Sequence, residues 1–161
     1  MDITKTNAMR LLDKAGIKYN TYSYDHSDGL IDGISVAGKM GQPVERVFKT
    51  LVTQGHSRNY FVFMIPVAQE LDLKAAARSV GEKSVEMIKV ADINKTTGYI
   101  RGGCSPIGMK KDFVTVLDDS SISCETIIIS AGKIGQQLEL APDDLVKLLQ
   151  CKIESITIQE K

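Results

Sequence analysis

Two runs near the middle of the chain, "VFKTLVTQ" (47–54) and "NYFVFMIP" (59–66), are apolar and rich in β-branched and aromatic residues. Only "GHSR" separates them. So short a link cannot carry a parallel crossover, which needs about a dozen residues, so the two runs predict an antiparallel hairpin. Further strand-like runs follow the same alternating or apolar pattern: "IKYNTYSYDH", "SVEMIKV", "FVTVLD", "TIIIS", "QQLEL" and the closing "KIESITIQE". Between them lie helical stretches with their own stop signals. Thr4 or Thr6 is placed to cap a first helix in which Ala8, Leu11, Leu12 and Ala15 recur at helical spacing, and Gly16 ends it. "GISVAGKMG" ends at Gly41, with a turn through Pro43 to Arg46 after it. "LDLKAAARSVG" ends at Gly81, "ADINKTTG" ends at Gly98, and "APDDLVKLLQ" opens with Pro142 in its first turn.

Helices and strands are interleaved, yet short turns link several strand pairs. The expected architecture is α/β: a mixed, largely antiparallel sheet, curled like a barrel and flanked by helices. No linker or repeat interrupts residues 1–161, and a chain of 161 residues can bury one core, so a single domain is expected. The N-terminal stretch has no apolar centre and does not read as a signal peptide. No apolar run approaches the roughly 20 residues that span a bilayer, so no membrane partner is expected. The three cysteines are widely spaced, with no CxxC or Cys/His cluster, which argues against a disulfide framework and against a zinc site. The reading is a reduced, cytoplasmic protein without metal or cofactor. Its formal net charge is zero, so any contact with nucleic acid has to come from a local patch and should be weak and salt-sensitive.

The densest candidate for chemistry is "GYIRGGCSPIGMKK" (98–111). It matches neither the GxxxxGK[ST] phosphate loop nor GxGxxG. Its glycines fit two readings equally: a tight connection needing positive φ, or a backbone brought close to a ligand with amides available to an anion. Arg101, Lys110 and Lys111 flank it with charge suited to phosphate, and Ser105 offers a hydroxyl. Ser105 lacks a partner motif for a base, and "CSPIG" is not the GxSxG elbow, so a Ser-His hydrolase is disfavoured. Cys104 reads as an incidental buried thiol. "SAGKIG" (130–135) repeats the pattern of small residues and a lysine after a strand, and two such loops can face one cleft. Lys49 interrupts an apolar strand on the face it shares with Val47 and Leu51. It is either a solvated edge position or a cation aimed into a pocket, and the pattern weights the two alike.

Taken together, "FKTLV", "LDLKAAARSVG", "VEM", "TTGYIRGGCSPIGMKK", "TIIISAGKIG" and "LAPDDLVKLL", in this order and spacing, resemble the YbaK/EbsC family of Cys-tRNA(Pro) deacylases. These are relatives of the editing domain inserted in bacterial prolyl-tRNA synthetases. The resemblance implies a hydrolase that clears cysteine mischarged onto tRNA(Pro), with aminoacyl-tRNA as substrate and prolyl-tRNA synthetase as a recruiting partner. It implies that the substrate's own thiol attacks its ester, which matches the lack of a protein nucleophile. By motif, Lys49 is the family's essential lysine, and Gly102, Gly103 and Ser105 line the aminoacyl pocket. Ser130, Ala131 and Gly132 form a facing wall with Lys133 beside them, Arg101 stands by the substrate, and Tyr24 lies at the pocket mouth. The chain departs from the family where Ile134 replaces a common arginine and Gln136 a leucine, and "HSDGLIDGISV" lacks an aromatic found in some members. Two further expectations are kept open: an Ala- or Ser-tRNA deacylase using water, and a module that binds tRNA ends without catalysis.

Overall fold

The computed structural model describes residues 5–159. In chain order the elements are α1 (Asn7–Lys14), β1 (Asn20–Ser23), α2 (Gly33–Met40), β2 (Phe48–Gly55), β3 (Tyr60–Pro66), α3 (Leu73–Ser79) and β4 (Val85–Met87). There follow α4 (Ile93–Thr97), β5 (Val114–Asp118), β6 (Ile127–Lys133), β7 (Gln136–Leu140), α5 (Pro142–Leu149) and β8 (Lys152–Glu154). The Thr6 hydroxyl caps α1 by accepting from the Met9 amide at 3.2 Å, while the alternative cap, Thr4, lies outside the described residues. Asp32 and Asp72 cap α2 and α3 in the same way, and Gly41 leaves α2 in the left-handed region (φ 65°) that glycine adopts without strain.

The strands form two sheets. One has the order β1-β7-β6, all antiparallel. The other has the order β4-β2-β3-β5-β8, antiparallel at β4-β2-β3 and parallel at β3-β5-β8. The predicted hairpin is the β2–β3 pair, with Phe48 opposite Pro66 and Gln54 opposite Tyr60. The sheet is thus mixed and largely antiparallel, as expected, but it is divided. Among the described residues one isolated parallel bridge, Val47 to Ile128, joins the halves. "SAGKIG" also differs from a plain loop: β6 runs through Ser130 to Lys133 with a register shift, and only Ile134 and Gly135 turn the chain into β7. The closing "KIESITIQE" forms a strand only at Lys152–Glu154, with a separate bridge from Thr157 to Leu71.

Side-chain alternation on β3 sends Met64 and its neighbours Phe63 and Ile65 into different cores. Met64 joins Phe48, Leu117, Ile127, Ile129, Leu138 and Leu140, so the two sheets share one core closed by Met9 and Leu12 of α1 and Leu145 of α5. Phe63 and Ile65 join Val116 and the alanines of α3.

Candidate active site

β4 pairs with β2 only over Thr53–Gly55, so the first half of that edge of β2 has no ladder partner among the described residues. A cleft of about 110 Å³ opens beside it. That is room for about four waters at their liquid volume of about 30 Å³ each, or for a small aminoacyl group. Lys49 and Thr50 of β2, Ser130 of β6, Gly102 and Cys104 of the 98–111 loop, and Ile31 line it.

Lys49 is half-buried, and no carboxylate lies within ion-pair distance of it among the described residues. Burial holds its ammonium below the ordinary lysine range, opposed by the negative field of Glu70. The Thr50 Oγ1 is buried without a hydrogen-bond partner among the described residues, an unusual condition for a polar atom, and Thr50 also borders the cleft. Burial pushes the Cys104 thiol up to about 11, against an opposing hydrogen bond with Thr97, so the thiol stays protonated near neutral pH.

The glycines of the loop are explained by contact. A Cβ on Gly103 would sit 3.1 Å from the Ile134 nitrogen and 3.3 Å from the Lys133 carbonyl carbon, which is backbone against backbone. A Cβ on Gly102, whose φ is 85°, would sit 2.8 Å from Ile31 Cδ1. A Cβ on Gly132 would sit 2.9 Å from the Tyr99 ring. The 98–111 loop and the β6–β7 turn therefore touch, and the cleft lies at their junction. The Tyr99 hydroxyl locks the loop by donating to the Ile107 carbonyl at 2.6 Å.

The remaining expected residues fall into place around this junction in different ways. The Gly103 amide donates to the Ile100 carbonyl at 3.0 Å and closes a turn, whereas the amides of Gly102 and Cys104 have no acceptor among the described residues. Ser105 is fully buried, and its hydroxyl accepts from the Ile107 amide at 3.2 Å, so it shapes the loop from behind the cleft. Ser130 borders the cleft and accepts from the Gly132 amide at 3.1 Å. Ala131, one residue along the strand, points into the shared core. Arg101 and Lys133 are exposed. Tyr24 is buried with its hydroxyl unpartnered, and the Lys39 ammonium lies 5.7 Å from its ring centroid. Lys110 folds back, donating to the Lys95 carbonyl at 3.1 Å, while Lys111 is exposed. Sequence reasoning missed Thr50, Cys104 and Ile31 as cleft residues. Thr50 was legible only as the neighbour of Lys49, Cys104 lay in the singled-out loop but read as an incidental thiol, and nothing local marks Ile31. A larger groove of about 1140 Å³ runs along Arg46, Asp118, Ser120 and Thr126, and it contains none of the expected residues.

The model of the aminoacyl-tRNA editing domain matches residues 34–148. The chain belongs to this family. The editing domain is 46% identical over 156 residues to the candidate Cys-tRNA(Pro)/Cys-tRNA(Cys) deacylase EbsC of Enterococcus faecalis (strain ATCC 700802 / V583), covering 97% of this chain and 95% of that one. Its fold is shared with a hypothetical protein, APE2540, at a TM-score of 0.84 and 18% identity, covering 92% of this chain and 97% of that one. It is also shared with a candidate trans-editing enzyme for prolyl tRNA synthetase, at a TM-score of 0.80 and 20% identity, covering 97% and 100% of the two chains. The editing domain spans nearly the full length of each, and its cleft lies within the matched residues except at Ile31 and Gly33.

Proposed function

We propose that this editing domain is a free-standing deacylase that removes cysteine from Cys-tRNA(Pro) in the cytoplasm, without a metal or cofactor. The observation that carries the proposal is Lys49: a half-buried cation with no acidic partner among the described residues, beside a cleft only large enough for a small aminoacyl group. A desolvated cation of this kind is suited to hold a phosphate or ribose oxygen of the acceptor end. The name of the Enterococcus relative points to the same substrate.

The reaction is the one that the family resemblance implies, and the cleft is compatible with it. The cysteinyl sulfur of the substrate attacks its own ester carbonyl. The S–C bond forms, the ester C–O bond breaks, and the thiol proton passes to the departing ribose hydroxyl. The tRNA leaves, and water opens the small cyclic thioester to free cysteine. The protein holds the reactants and stabilises the oxyanion, with the unengaged amides of Gly102 and Cys104 as donors. Gly103 and Ser105 act on the shape of the loop, Ser130 and Gly132 form the facing wall with Ala131 behind it, and Tyr24 borders the mouth. The Cys104 thiol, at a pKa of about 11, is not the attacker. Selecting tRNA(Pro) requires recruitment, and binding to prolyl-tRNA synthetase supplies the effective concentration.

The test is a deacylation panel. Cys-tRNA(Pro) is hydrolysed faster than Ala- or Ser-tRNA(Pro), and Lys49→Ala lowers kcat/KM by about 100-fold or more with an unchanged circular dichroism spectrum. Preference for Ala-tRNA(Pro) would exclude attack by the substrate thiol. Tight binding without turnover would make the domain a binding module.

A further inference from the structure

The cleft, at about 110 Å³, is the size of a small aminoacyl group, which leaves the terminal nucleoside of the substrate proposed above at its mouth. The mouth has an unusual surface. Leu30 is 52% exposed, Ile34 55% and Ile100 54%. Leu30 and Ile34 flank Ile31 and Gly33, which line one wall; Ile100 closes the turn that carries Gly102 on the other. The walls meet where Ile31 packs on Gly102, and Ile134 packs beside them. This rim is held in place. The Lys39 ammonium donates to the Leu30 carbonyl at 3.0 Å, to the Asp25 carbonyl at 2.7 Å and to Asp28 Oδ1 at 2.8 Å. Two apolar side chains of the touching loops have an exposed cation next to them in sequence: Ile100 with Arg101, and Ile134 with Lys133.

We infer that this rim is the binding site for the 3′-terminal base of the acceptor strand, the base lying on Leu30, Ile34 and Ile100 while Arg101 and Lys133 meet the adjoining phosphates. The inference rests on the deacylase reading and extends it to the nucleoside. A base has apolar faces that leave water on contact with aliphatic side chains. Its phosphates need cations at one side, and the loops alternate the two. This arrangement also gives Ile134 a use: where a third cation would extend the charge, it continues the apolar surface.

The experiment compares two substrates on the wild-type chain and on a triple variant, Leu30→Ser, Ile34→Ser and Ile100→Ser, all exposed positions outside the reacting centre. With 3′-O-cysteinyl-adenosine the triple variant raises KM by about tenfold, as loss of a base platform does. With cysteine ethyl ester, which has no base, the two proteins hydrolyse alike. An unchanged KM for the nucleoside ester, or an equal loss on both esters, overturns the inference. If wild-type protein cleaves neither ester, the deacylase reading fails separately, and the rim is tested by titrating the non-hydrolysable amide, 3′-cysteinylamino-3′-deoxyadenosine. Weaker binding by the triple variant supports the rim, and equal binding or none overturns it. With Cys-tRNA(Pro), Arg101→Ala together with Lys133→Ala reduces the salt slope of kcat/KM by about two. An unchanged slope removes the two cations from the site.

Discussion

Lys49 and Thr50 are adjacent on β2 and both border the cleft, their side chains on opposite faces of the strand, and each carries an electrostatic demand that no described residue meets. A buried hydroxyl without a partner costs free energy that a substrate hydrogen bond returns, so Thr50→Val should raise thermal stability slightly while lowering kcat/KM about tenfold. Melting curves and single-turnover rates measure the two effects. The Lys49 charge gives a pH signature. Burial lowers its pKa in the folded state, so its proton is lost at a lower pH than that of an exposed lysine. Activity that depends on the ammonium therefore falls as pH rises through this lowered value. Glu70 opposes the shift, so Glu70→Gln should move the alkaline limb of the kcat/KM profile further down in pH. An alkaline limb unmoved by Glu70→Gln would separate that limb from Lys49.

Among elements, Glu139 of β7 ties its own sheet together and to the turn before β2. Its carboxylate accepts from Asn20 at 3.2 Å and Tyr22 at 3.0 Å on β1, from Thr126 at 2.5 Å before β6, and from Arg46 in the turn before β2. Burial pushes its pKa up, but these hydrogen bonds and the guanidinium outweigh burial and hold it below the usual carboxylate value. A lowered folded-state pKa means stability that is present above the unfolded value and is lost as pH falls through the folded one. Glu139→Gln should cost about 2 kcal/mol at neutral pH and flatten the acid side of the stability curve, as urea unfolding at several pH values will show. This junction was not legible in the sequence. The β2–β3 hairpin was, because its two strands adjoin and the turn between them is short. The pairing of Asn20 with Glu139 spans most of the chain and leaves no local pattern. For the same reason "SAGKIG" read as a loop: the register shift within β6 is decided by β7 and by the glycine contacts of another segment. Lys49 stood out by interrupting an apolar run, but whether the edge beside it is paired or borders a cleft depends on where β4 stops. The resemblance carried by the combined motifs supplied the family, and the geometry supplied the division of labour among its residues.

For the molecule as a whole, one core serves both sheets, so the cleft at their seam depends on side chains far from it. Ile129→Ala, in the centre of that core, should destabilise the whole domain by about 3 kcal/mol in a single cooperative transition. Two separate transitions would mean that the sheets unfold independently. The zero net charge sets the other global property. With no general attraction for RNA, affinity rests on a few cations at the mouth, so KM for Cys-tRNA(Pro) should climb steeply between low and physiological salt while kcat holds. Adding the synthetase should suppress that dependence.

The half-edge of β2 beside the cleft has a consequence for solubility. Among the described residues the half-buried backbone from Lys49 to Leu51 has no ladder partner on that side, next to the apolar run of the hairpin, and an edge of this kind can recruit a strand from another molecule when the domain opens locally. An active site cannot be roofed over without closing it, and here the charge that serves the substrate also stands guard on the half-buried edge. Lys49→Ala should therefore scatter light at concentrations where wild type and Lys49→Arg remain clear, and protein prepared for activity controls will need to be kept dilute.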